Sequence, residues 1–250
     1  MRISQSFLKS YATDKCKWRV KLKYVDGIRL GFDPDNIRAV DKGHLFEFLL
    51  LGKGTGDADI FTKWPKSSKG KPYADEIKIT SLATDAKEIL QKRNVTWSDK
   101  DVDVEIEYRD LRGRVDFIGK VDKELALCDL KYTETKEDDR WSPFAWGDID
   151  KIDYTQPLHY VTIYFLKYNV HLPWYFMVFS PYGKGWVKFI RVDVSKEQMN
   201  THIARIKDVK EQLKDEQWTP TYDYNECRGC ELAHLCDKKK QYPDDIRVEL

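Results

Sequence analysis

Residues 113–119 (GRVDFIG) and 125–132 (LALCDLKY) are two apolar runs, each carrying one aspartate and joined by the polar turn 120–124. Short apolar runs bounded by turn residues read as paired strands, here a β-hairpin or meander. Within 125–132 the side chains alternate between faces with a period of two. Leu127, Asp129 and Lys131 therefore share one face, and Cys128 and Leu130 take the other. The hairpin would bring Asp116 and Asp129 to the same end of the sheet. Both carboxylates sit in or beside apolar strands, where an unpaired charge is costly. That separates them from the solvated charges of an ordinary strand face.

Two carboxylates and a lysine so placed suit phosphodiester cleavage. The reaction needs a cation to neutralise phosphate charge and to lower the pKa of an attacking water. Hard oxygen ligands from Asp suit Mg²⁺ or Mn²⁺. A lysine beside the metal orients the water and stabilises the charge that builds on phosphorus, and acts as a base if its pKa is lowered.

Outward from this pair, residues 102–108 (VDVEIEY) alternate apolar and charged residues and read as a half-exposed strand. A charged, aromatic loop over 133–146 leads to a helix over 155–168, with Thr155 as N-cap and Pro157 in the first turn. Strands over 174–179 and 186–192 precede a charged amphipathic helix over 196–217. Upstream, helices are expected over 4–11, from about Asp41 to Gly52, and over 75–93, with loops at 52–59 and 67–71. A helical N-terminal part, a short mixed sheet, a helix and two more strands define an α/β or α+β domain.

The 250 residues are 41% apolar and 34% charged, enough for one large core under a solvated surface. Forty-three Lys and Arg against forty-two Asp and Glu give a net charge of +1, which excludes a uniformly basic surface but allows a basic groove. The most apolar stretch, 172–179 (LPWYFMVF), is roughly a third to a half of the length of a spanning helix. The N-terminus has no apolar signal core, so the reading is a soluble, cytoplasmic protein.

The motifs, taken in order, resemble the RecB-like branch of the PD-(D/E)XK nucleases. Gly113 to Asp116 resembles its GxxD element and Asp129-Leu130-Lys131 its DxK element, while Gln156 to Tyr160 is similar to its QxxxY element. Gly43 to Glu47 resembles its GxxxH element, with Glu47 where many members have His. The resemblance implies a restriction-endonuclease-like core, a central mixed β-sheet flanked by helices. It implies that Glu47, Asp116, Asp129 and the Leu130 carbonyl hold Mg²⁺ or Mn²⁺, with His44 as the fallback ligand. Lys131 would orient the water. Gln156 and Tyr160, four residues apart on one helix face, would hold the DNA strand.

Cys227, Cys230 and Cys236 form C-x₂-C-x₅-C, and Cys16 is the natural fourth ligand, since Cys128 lies inside the catalytic strand. An odd number of cysteines without a secretion signal favours metal binding over disulfides. A lone distant cysteine plus a C-terminal triplet resembles AddB-type and CRISPR-associated RecB-like nucleases, which implies a [4Fe–4S] cluster. Zinc accepts the same thiolates, and His234 could replace Cys16 in such a site. The expected organisation is a helical N-terminal region (1–100) with Cys16 and Glu47, a nuclease core (101–220) and a Cys-rich tail (221–250), forming one structural unit.

Basic and aromatic residues interleave at 15–23, 63–73 and 238–242, where a phosphate backbone could run beside stacked bases. The family resemblance implies cleavage of single-stranded DNA or DNA ends, by exonuclease or flap-type cutting, in recombination, repair, phage replication or CRISPR adaptation. A recombination, helicase or CRISPR-adaptation protein is the expected partner, and a phage or mobile-element origin suits a stand-alone nuclease. The alternative is a non-catalytic DNA-binding or scaffold module with a structural metal.

Overall fold

The computed structural model describes residues 2–28, 37–53, 63–66, 68–70, 72–142, 144–145, 149–221 and 227–236. Residues 54–59 of the expected glycine-rich loop, Ser67 and Lys71, the stretch 238–242 and most of the 221–250 tail lie outside them.

The chain divides into two units, one of residues 2–5 and 30–204, the other of Met1, 6–29 and 205–250. The first is built on a five-stranded sheet, as counted among the described residues: β1 (Thr96–Tyr108), β2 (Leu111–Val121), β3 (Glu124–Tyr132), β4 (Trp174–Ser180) and β5 (Trp186–Val192), in that spatial order. All neighbours are antiparallel except β3 and β4, which run parallel. A parallel pair needs a long crossover, and it contains a helix, Thr155–Tyr168. The mixed sheet flanked by helices is the restriction-endonuclease-like α/β architecture expected from the motifs.

The helices before the sheet are Gln5–Thr13 (α1), Lys17–Tyr24 (α2), Ala39–Leu51 (α3) and Ala74–Lys92 (α4), of which α3 and α4 cover it. The crossover helix is α5, and Lys196–Gln212 is α6. Helix α3 starts where the Asp41 carboxylate accepts the Arg38 backbone N–H at 2.8 Å, and stops at Gly52, whose φ of 75° favours glycine. Its Leu45, Phe46 and Leu50 join Ile79, Leu82, Ala86 and Leu90 of α4 over Phe117, Cys128, Leu130, Met177 and Phe179 of the sheet. Cys128 and Leu130 thus face the α3/α4 core. Strand β4 is buried at every residue but Tyr175, as expected of a strand covered on both faces.

Helix α5 packs closely on β2 at Gly113. A Cβ there would lie 2.6 Å from Ile163 Cδ1 and 2.7 Å from the Tyr160 ring, so any side chain would force those two side chains to shift. The helix begins one residue earlier than a Thr155 N-cap would require: Tyr154 holds the cap position, and the Thr155 N–H is taken by Asp153 Oδ1 at 3.0 Å. Strands β2 and β3 turn through Asp122 and Lys123 with φ of 48° and 76°. Both values are positive, as in the two-residue hairpin turn that matches strand twist.

In the second unit, Phe7, Leu8 and Tyr11 of α1 and Val20 and Leu22 of α2 are buried. Tyr11 Oη donates to Glu216 at 2.5 Å. Helix α6 stops at Gln212, short of the expected Gln217, and gives way to a turn. No helix among the described residues is long and apolar enough to cross a membrane.

Candidate active site

Ladder pairing between β2 and β3 runs from Val121 and Glu124 to Phe117 and Cys128, where it ends. Asp116 is the next residue on β2. Its carboxylate Oδ2, rather than a backbone carbonyl, accepts the Leu130 N–H at 2.6 Å. Across the strand, Lys131 Nζ lies 2.6 Å from Asp129 Oδ2. That contact is an ion pair whose direction leaves the buried oxygen without a well-aligned donor. Gln156, in the first turn of α5, donates from Nε2 to Asp129 Oδ1 and accepts from Lys131 Nζ at 3.2 Å. Asp116, Asp129, Lys131 and Gln156 are therefore one constellation. Gln156 is directed at the Asp129–Lys131 pair and serves to hold its geometry.

Burial dominates the electrostatics. It raises the Asp116 carboxyl well above the usual carboxylate range, and the charges of Asp129 and Glu47 push it further. Asp116 keeps some accessible surface, but its carboxyl group is enclosed. Burial also raises Asp129, while Lys131 and Gln156 pull it back. For Lys131, burial alone would depress the ammonium, yet Asp129, Asp116 and Glu47 outweigh it and hold its pKa above the ordinary value. The carboxylates around Lys131 thus favour its charged form.

Glu47 is buried on α3, and its charge acts on both Asp116 and Lys131. His44, one helical turn earlier, has Asp41 and Arg38 as its charged neighbours, and burial lowers its pKa. Tyr160 stands one turn beyond Gln156, its ring 5.3 Å from that of Trp174. Burial pushes its phenol up to about 12, so it is a proton donor at neutral pH. Leu130 is buried in the α3/α4 core, with its N–H committed to Asp116.

A buried histidine pair borders this site and was not singled out in the sequence. His159 Nδ1 lies 3.1 Å from His202 Nε2, and His159 Nε2 lies 3.0 Å from the Arg112 carbonyl oxygen. Because that carbonyl can only accept, Nε2 carries the proton and Nδ1 accepts from His202. No spacing rule could find the pair, since the partners are forty-three residues apart. The one cue is a histidine on the apolar side of α5.

The cysteines Cys16, Cys227, Cys230 and Cys236 all belong to the second unit, and each is a partly exposed free thiol. Among the described residues, no three His, Cys, Asp or Glu side chains are gathered as a ready metal-binding group, either here or at the carboxylates. The carboxylates nonetheless suit a hard divalent cation by charge. Glu47, Asp116 and Asp129 face one ammonium, and a buried Asp129 oxygen lacks a good donor.

An antiparallel hairpin bearing two buried carboxylates, a lysine two residues on, and a crossover helix that completes the set define a nuclease core. A family model of the PD-(D/E)XK nuclease superfamily matches residues 2–237, and the chain belongs to that superfamily. Among solved structures, a Eubacterium rectale protein named as a candidate exonuclease is similar over 99% of this chain and 91% of its own, with a TM-score of 0.62 at 14% identity. That likeness shows a shared fold. A second structure, that of SSO0001, covers 94% of this chain and 96% of its own at 12% identity, with a TM-score of 0.35. No curated protein matches the sequence.

Proposed function

We propose that the protein is a divalent-metal-dependent deoxyribonuclease that degrades single-stranded DNA or DNA from its ends. The observation that carries the proposal is the joining of Asp116, Asp129, Lys131 and Gln156 in one half-buried constellation. Nucleases of this superfamily typically use divalent metals such as Mg²⁺. Here Glu47, Asp116, Asp129 and the Leu130 carbonyl would hold Mg²⁺ or Mn²⁺, which would supply Lewis-acid stabilisation of the phosphate and an acidified water. Lys131 keeps its positive charge beside the reacting phosphate and orients the nucleophile. Gln156 fixes the Asp129–Lys131 pair, and protonated Tyr160 donates to a strand oxygen. Membership of the RecB-like branch and a role in recombination, repair or CRISPR adaptation belong to the same reading.

The test is cleavage of end-labelled single- and double-stranded DNA with Mg²⁺, Mn²⁺ or EDTA. Metal-dependent ladders starting at an end are expected. Intact DNA under every condition, from correctly folded protein, would leave the alternative of a non-catalytic DNA-binding module.

The reading extends to a four-thiolate centre of Cys16, Cys227, Cys230 and Cys236, supported by their common unit and their accessibility. As they stand, these thiols do not form a gathered ligand set, so no step of the reaction is assigned to the centre. Iron and labile sulfide assayed in anaerobically purified protein are expected to be positive. Metal-free protein, or zinc alone, would refute the iron–sulfur assignment.

A further inference from the structure

The loop that follows β3 has a buried root and an exposed tip. At the root, the Thr135 carbonyl accepts from Ser180 Oγ at 3.1 Å and from Trp186 Nε1 at 3.0 Å. Thr135 Oγ1 donates to the buried Ser142 at 3.3 Å, and the Ala145 carbonyl is held by Lys188 Nζ. At the tip, Trp141 is 84% exposed. Its backbone is fixed, because the Trp141 N–H donates to Asp139 Oδ1 at 2.9 Å and the Ser142 N–H to the Asp139 carbonyl. Lys151 Nζ lies 5.5 Å from the centroid of its ring.

Single exposed apolar side chains are common and carry no meaning by themselves. This one differs in three ways. Its own backbone N–H and that of Ser142 are held by Asp139 before any ligand arrives, so little freedom of the Trp141 backbone remains to be lost on binding. A cation stands over the indole. The loop also runs directly from the strand of Asp129 and Lys131 towards the helix of Gln156, with Lys151 only five residues ahead of Gln156. Five residues span at most about 18 Å, so the indole lies within reach of a strand a few nucleotides long that occupies the catalytic carboxylates.

We infer that Trp141 and Lys151 form a stacking platform for an unpaired base of the substrate strand, the indole taking the base and the ammonium the adjacent phosphate. This rests on the nuclease reading and names its substrate class. Stacking requires an open base face, which a single strand or frayed end offers and the interior of a duplex hides. Aromatic–base stacking is tolerant of sequence.

The test uses the full chain with Lys131→Ala, so that DNA persists, and fluorescence anisotropy of a labelled single strand of mixed sequence. Adding Trp141→Ala is expected to weaken binding on the order of ten-fold, and Trp141→Phe to retain most of it. Lys151→Gln should reduce the slope of log affinity against log salt by about 0.7. Affinity for closed circular duplex should not change. Equal single-strand affinity with and without the indole overturns the proposal, as does an equal loss on closed duplex. If the wild-type chain cuts DNA while the Trp141 variants bind normally, the platform alone fails. If the chain neither binds nor cuts DNA, the nuclease reading fails with it.

Discussion

Lys131→Ala and Asp116→Asn are both expected to abolish cleavage, while moving stability in opposite directions. Lys131 is the ammonium that Asp129, Asp116 and Glu47 act on, and their charges favour its protonated form. Removing such a preorganised charge from beside a reacting phosphate costs on the order of 10²–10³ in rate. It also strands the buried Asp129 carboxylate, whose Oδ2 lies 2.6 Å from the lost ammonium. Breaking a buried pair from one side costs about 3–5 kcal/mol; Lys131 is 28% exposed, so the lower end or less is expected. Asp116→Asn removes a carboxylate that burial and two like charges disfavour. The amide oxygen can still accept the Leu130 N–H. The gain should be about 0.5–2 kcal/mol, a rise of a few degrees in melting temperature for a chain of this size. Cleavage assays and thermal melts at neutral pH check both. A variant of either kind that cuts at the wild-type rate removes these residues from the active site. A destabilised Asp116→Asn would mean that the carboxylates are not in electrostatic conflict.

That conflict was partly legible in the sequence. The period-two rule placed Asp129 and Lys131 on one face, and the polar turn set the hairpin that brings Asp116 beside them. It could not show that Asp116 leaves the ladder to take the Leu130 N–H, or that Gln156 reaches the Asp129–Lys131 pair across the crossover. Those are tertiary facts. Helix α2 carries no helical signature in its sequence, since KWRVKLKY alternates charged and apolar residues as a strand would. In the fold, it buries Val20 and Leu22 and lays Lys21 over the Trp18 ring, so packing overrides the local pattern. Strand β1 begins six residues before the expected Val102, across a register shift between Trp97 and Val102. Its opening residues (TWSDKD) are too polar to carry a strand signal. The motif spacing puts Glu47 at the position where many members have His and leaves His44 as the fallback ligand. In the fold, the charge of Glu47 acts on Asp116 and Lys131, while His44 has Asp41 and Arg38 as its charged neighbours.

The histidine pair behind the site is expected to make the fold sensitive to acid. Burial depresses His159 from its ordinary 6.5 to about 4, and both of its nitrogens are occupied, one by the Arg112 carbonyl and one by His202. A proton can add only at Nδ1, where it must break the bond from His202. The unfolded chain has no such restriction and protonates near 6.5. Between those values the unfolded state binds more protons than the native state, so stability falls as pH falls. The contribution is complete above about pH 6.5 and is lost as pH approaches 4. At 1.36 kcal/mol per unit, the loss is about 3 kcal/mol. Asp116 and Asp129, with raised native values, act in the opposite sense over an overlapping range. The informative quantity is therefore the difference between wild type and His159→Gln in urea unfolding across pH 4 to 7.5. Glutamine should lower stability at neutral pH, because the buried bonds to Arg112 and His202 are disturbed, but flatten the acid limb. If the two proteins lose stability in parallel, His159 titrates normally and the relay does not hold α5 against β2. If the limb flattens, the position of α5 depends on a neutral imidazole, and the Gln156 and Tyr160 side chains depend on it in turn.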